Sequence, residues 1–96
     1  MSDFVHITKD GRKIPLEEMD SAHLFNVIKY IERTAEEGLE VLHSVWDWES
    51  VWEYTIYDDE VLFALGYANY VREALRRGMR IIPKYPEYLR SQGIKL

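Results

Sequence analysis

Residues 8–38 read TKDGRKIPLEEMDSAHLFNVIKYIERTAEEG, a tight turn, a short extended segment and a capped amphipathic helix in one run. Asp10-Gly11 is a type I′ signal, because both central positions of that turn need positive φ. Phe4 to Thr8 alternate apolar and polar side chains before the turn, and Lys13 to Leu16 resume the alternation after it. With a two-residue loop, Ile7 falls opposite Ile14 and Val5 opposite Leu16, so one face of the hairpin is wholly apolar. Pro15 has no N–H to give a ladder, and the second strand is expected to lie at an edge or to end there.

Asp20 is placed as the N-cap of the following helix, its carboxylate accepting from N–H groups of the first turn. Met19 and Leu24 then stand at the two positions of a hydrophobic staple. Leu24, Val27, Ile28, Ile31 and Ala35 recur at helical spacing, while Lys29, Glu32, Arg33, Glu36 and Glu37 fall mostly on the other side. Gly38 is a natural stop.

Leu39 to Tyr57 fits two templates. At helical period Val41, Val45, Trp48, Trp52 and Ile56 share a face; at period two Trp46, Trp48, Trp52, Tyr54 and Ile56 do, opposite Asp47, Glu49, Glu53 and Thr55. Aromatic and β-branched content favours strand, whereas length and the lack of a Gly or Pro break favour helix. The reading adopted is helix.

Asp58-Asp59-Glu60 suit a helix N-terminus, and Arg72, Arg76 and Arg77 suit its C-terminus. Between them Val61, Ala64, Leu65, Ala68, Val71 and Leu75 form the expected core face, flanked by Phe63, Tyr67 and Tyr70, with Gly78 as the stop. Gly66 inside that helix marks a place where another backbone approaches closely. Met79 to Ile82, ahead of Pro83, suggests a third strand joining the hairpin, and Pro86 to Gly93 one last helical turn or two. The expected fold is α+β and mostly helical: an N-terminal β-hairpin, with a possible third strand near 79–82, packed on two or three helices as a single domain over 1–96.

Ninety-six residues without cysteine support one core and exclude a disulfide framework, a thiolate metal site and a cysteine nucleophile. No basic and apolar leader opens the chain, and Val61 to Val71 is interrupted and far short of a bilayer span, so a soluble cytoplasmic product without membrane contact is expected. The net charge of −5 argues against non-specific nucleic-acid binding. Its distribution is uneven. Residues 34–71 hold no Lys or Arg, whereas from Arg72 onward basic residues dominate. Opposite charges on neighbouring elements help them dock or remain solvated.

The run KDGRKIPLEEMDSAHLFNVIKYIER resembles the N-terminal signature of a family of small proteins encoded by tailed bacteriophages and prophages. In that signature a DGR-I-P segment leads into Met, His-Leu and an amphipathic helix. Tyr70 to Gly78, YVREALRRG, is similar to a later part of the same pattern. Together the two stretches cover about a third of the chain, and Leu39 to Tyr57 has no counterpart in the pattern. The resemblance implies a phage or prophage context and a bacterial host cytoplasm, and it carries no activity, cofactor or metal.

Among chemistry-bearing residues, His23 stands near Glu17, Glu18 and Asp20, a grouping that serves a helix mouth as readily as a divalent ion or an acid/base pair. His43 and Asp47 at i, i+4 would be two ligands of an incomplete site. No nucleophile elbow, phosphate loop or H-E-x-x-H occurs, and no enzyme activity or cofactor is expected. The binding reading rests on Trp46, Asp47, Trp48, Glu49, Trp52, Glu53 and Tyr54. Clustered indoles and a phenol interleaved with acids form a surface suited to a host or phage protein, or to a second copy of the chain. Two alternatives come from other classes: nucleic-acid binding through Arg72, Arg76, Arg77, Arg80 and Lys84, and a metal-dependent enzyme centred on His23.

Overall fold

The computed structural model describes residues 4–8, 10–44 and 51–96, with the backbone alone at 41–44 and 51–54. Strands β1 (Val5–Ile7) and β2 (Lys13–Pro15) form an antiparallel hairpin, and a single 3₁₀ turn, Leu16–Glu18, leads from it into helix α1 (Ser21–Glu37). A second antiparallel hairpin, β3 (Leu39–Ser44) with β4 (Val51–Ile56), follows directly. Helices α2 (Asp58–Ala64), α3 (Tyr67–Arg76) and α4 (Pro86–Ser91) complete the chain. The architecture is α+β and mostly helical, with the core where α1 crosses α2 and α3.

Helix α1 buries Leu24, Ile28, Ile31 and Ala35, the stripe set by its 3.6-residue period, and Met19 packs into the same cluster. Asp20 occupies the N-cap position, but only its backbone serves the helix. Its C=O accepts from Leu24 N–H, and its side chain makes no capping bond.

Four further expectations are corrected. The hairpin register is His6 opposite Ile14 and Ile7 opposite Lys13, one residue away from the two-residue-loop pairing. Thr8 N–H donates to Arg12 O, Gly11 N–H donates to Thr8 O, and Gly11 sits at φ +85°, which is the geometry of a three-residue loop. That slip moves Ile7 to an exposed position, 60% accessible beside Lys13, and turns His6 to the side of the half-buried Ile14.

Secondly, the stretch from Leu39 to Tyr57 is strand rather than helix over all its described residues up to Ile56. β-Branched and aromatic content outweighed the absence of a break. Leu39 and Ile56, paired at the base of this ribbon, pack against the core. The strands otherwise pair chiefly with each other, consistent with a radius of gyration of 14.9 Å, larger than the ~12.5 Å of a compact chain of this length.

Thirdly, Gly66 ends one helix and starts another. It lies at φ +73°, where a Cβ would come within 2.6 Å of the Phe4 ring. The break changes the phase of α3 relative to α2. The buried set is therefore Val61 and Leu62, then Tyr67, Ala68, Tyr70, Val71 and Ala74, while Ala64 and Leu75 face outward.

Finally, Met79 to Ile82 forms no strand. Met79 N–H closes α3 on Ala74 O, and just beyond the stretch Pro83 has no N–H while Lys84 N–H donates to Glu32 Oε2 at 2.9 Å. Glu32 is 3% exposed despite standing on the nominally polar side of α1. It also accepts from Tyr67 Oη at 2.5 Å and pairs with Lys29 Nζ at 3.3 Å. Burial, and then this carboxylate, push the Tyr67 phenol pKa far up.

Candidate functional site

Two places merit description as sites, a groove under the N-terminal hairpin and the β3–β4 ribbon. The groove, about 580 Å3, opens between β1, α1 and the α2–α3 junction. Phe4, Val27, Ile31 and Leu65 give it apolar walls; His6, His23, Asn26, Tyr30 and Tyr70 supply its polar atoms. His23, Asn26 and Tyr30 recur every three or four residues of α1 and therefore share a face. The one-residue hairpin register shift brings His6 of β1 over that face.

The His6 and His23 rings meet edge to face, centroids 4.9 Å apart and planes at 89°. His6 Nδ1 lies 3.0 Å from Tyr70 Oη, and Phe4 packs edge-on against the Tyr70 ring. Burial, and secondly the neighbouring His23, hold the His6 pKa below its ordinary value, while burial raises that of the Tyr70 phenol. Tyr70 is thus a proton donor suited to neutral His6. The arrangement offers ring N–H groups and hydroxyls beside an apolar floor, a binding chemistry. His23 stands with His6 here rather than forming a metal cluster with Asp20, Glu17 and Glu18, and among the described residues no group of three or more His, Asp or Glu is placed to hold a metal.

In the ribbon, β4 carries Trp52, Glu53 and Tyr54 opposite His43, Leu42 and Val41 of β3. The same register pairs Leu39 with Ile56, Glu40 with Thr55 and Ser44 with Val51. Trp46, Asp47, Trp48 and Glu49 lie outside the described residues, so the expected aromatic surface is represented by its β4 half. The strand geometry at His43 also removes the i, i+4 helical relation expected with Asp47, itself outside the described residues.

The basic residues do not form one free face. Arg76 makes a two-pronged contact with Glu73, at 2.9 and 2.5 Å. Arg77 donates to Glu73 at 2.7 Å, to Leu16 O at 2.8 Å and to Ser21 Oγ at 3.1 Å, fastening α3 to the 3₁₀ turn and the start of α1. Lys84 pairs with Glu36, Arg72 reaches Gln92 O at 3.4 Å, and Arg80 is exposed. Three of these five head groups are committed to carboxylates, which leaves fewer for phosphates.

Sequence reasoning passed over His6, Asn26, Tyr30 and Tyr70. The spacing of His23, Asn26 and Tyr30 was a usable signal for one shared face; His6 joins it through the hairpin register, and Tyr70 through the helix break at Gly66. Comparison with protein-family models, with curated proteins and with solved structures found no match to this chain.

Proposed function

We propose that this chain is a small protein-interaction module that acts by binding rather than catalysis, with the β3–β4 ribbon and the aromatic, acidic stretch it carries as its contact surface. The observation supporting this is the ribbon's topology: β3 and β4 make a two-stranded sheet with no other strand beside either edge among the described residues. Two strands alone are marginally stable, and open edges present backbone N–H and C=O groups to a further strand. Trp52 and Tyr54, two residues apart on β4, are residue types of interface hot spots. With no Lys or Arg between residues 34 and 71, the preferred partner carries positive charge. In the phage or prophage setting implied by the N-terminal resemblance, that partner is a host or phage protein, and a second copy of the chain is the competing occupant.

The test replaces Trp52 and Tyr54 together with alanine and compares affinity capture from bacterial lysate and light scattering with the unmodified chain. Captured partners, or the dimer, should be lost by at least about tenfold while the helical circular dichroism is retained. Undiminished capture by a folded variant that is also unchanged in mass refutes the reading.

A further inference from the structure

The groove lies apart from the ribbon, and its composition selects among ligands. At about 580 Å3 it has the size of a small-molecule site. Among the described residues no Asp, Glu, Lys or Arg lines it, so there a cation finds no carboxylate and a multiply charged anion no fixed counter-charge. The groups able to gain a proton near neutrality are two imidazoles from separate elements, 4.9 Å apart. With Tyr70 Oη on Nδ1 of His6, Nε2 is the His6 nitrogen left for a ligand, and a donating phenol fixes the neutral tautomer with its proton there. A carboxylate takes two N–H donors side by side, and these bonds strengthen when the donor is charged.

We propose that the groove binds an apolar monocarboxylate, its alkyl or aryl body against Phe4, Val27, Ile31 and Leu65 and its carboxylate on the His6–His23 pair. The bound anion supplies the counter-charge that the described residues of the groove lack. In its absence, burial and the neighbouring His23 disfavour the His6 cation. Facing the pair are Tyr30 of α1 and Tyr70 of α3; β2 sets Ile14 opposite His6, and the α2–α3 junction contributes Ala64 and Leu65. None of these is an acid of the carboxylate class. Ligand binding and proton uptake therefore favour each other, and affinity rises on acidification.

The probe is 3-phenylpropionate titrated into the whole chain at pH 6 and pH 8, with 3-phenylpropanamide as the neutral isostere, read by calorimetry and by imidazole NMR. The acid is expected to bind at least about tenfold more tightly than the amide, and more tightly at pH 6 than at pH 8. The His6 imidazole titration midpoint should rise in the complex, and the His23 ring resonances should shift on binding. His23 is exposed in the first turn of α1, and His23→Ala should weaken the acid by about tenfold without loss of helix. Should that variant not fold, the wild-type imidazole titration decides. Equal binding of acid and amide, pH-independent affinity, perturbations that spare His6 and His23, or no binding at millimolar acid each overturns the proposal.

Discussion

Replacing Glu73 with glutamine tests the ion cluster that joins α3 to the start of α1. Glu73 is 8% exposed and accepts three hydrogen bonds from Arg76 and Arg77. Bonding to Arg76 leads the causes that hold its carboxyl at about 2, against an ordinary 4.5. At ~1.4 kcal/mol per tenfold, that displacement corresponds to about 3.4 kcal/mol of native-state preference for the anion. The Arg76 side chain is 63% exposed, and solvent screening brings the expected contribution down to about 2 kcal/mol. Because the folded pKa is depressed, this stability is present above about pH 4.5 and is lost as pH falls toward 2. Urea denaturation of wild type and Glu73→Gln from pH 7 to pH 2.5 should therefore give a gap of about 2 kcal/mol at neutrality that closes with acid. A gap that stays constant to pH 2.5, or one below about 0.5 kcal/mol at pH 7, shows that the cluster does not stabilise the fold as described.

Two further substitutions probe the core. Glu32→Gln and Tyr67→Phe, measured singly and together by urea denaturation, should show a coupling of about 1–2 kcal/mol, because each single change breaks the same buried 2.5 Å bond; strictly additive effects refute that bond's role. Gly66→Ala forces a Cβ at φ +73° to within 2.6 Å of the Phe4 ring, and should cost about 2 kcal/mol, or roughly 10 °C in Tm by circular dichroism. An unchanged Tm means that the helix break is not fixed there.

The elements that sequence reading identified correctly are those whose signals are local. α1 has an uninterrupted 3.6-residue stripe, and Pro86 and Gly93 bracket α4. Leu39 to Ile56 was misread because its residue types satisfy both periods, and only the long-range pairing of Leu39 with Ile56 separates them. Gly66 is expected to meet another backbone, but it is the Phe4 ring that lies against it, and because the apolar spacing continues through it the change of helix phase is hidden in the sequence. The groove was equally hidden. His6 and His23 meet because the first turn holds three residues rather than two, and Tyr70 reaches His6 across 64 positions of chain. Glu32 belongs to the same class: its partners Tyr67 and Lys84 are remote in sequence, and nothing in its own neighbourhood separates it from the solvated acids of α1.

Glu32 has a consequence for how the molecule comes apart. One carboxylate side chain on α1 holds a hydroxyl of α3 and a main-chain amide of the irregular stretch before α4. Residues 79–85 look like the loose connector at which a chain would open first, yet releasing Lys84 takes one of three partners from a carboxylate in the protein interior, leaving it Tyr67 and Lys29. Fraying of the C-terminal segment is thereby tied to loss of the first helix's own packing. The last third of the chain and its N-terminal helix are therefore expected to open together, with the Lys84 amide as protected from hydrogen exchange as the core amides of α1.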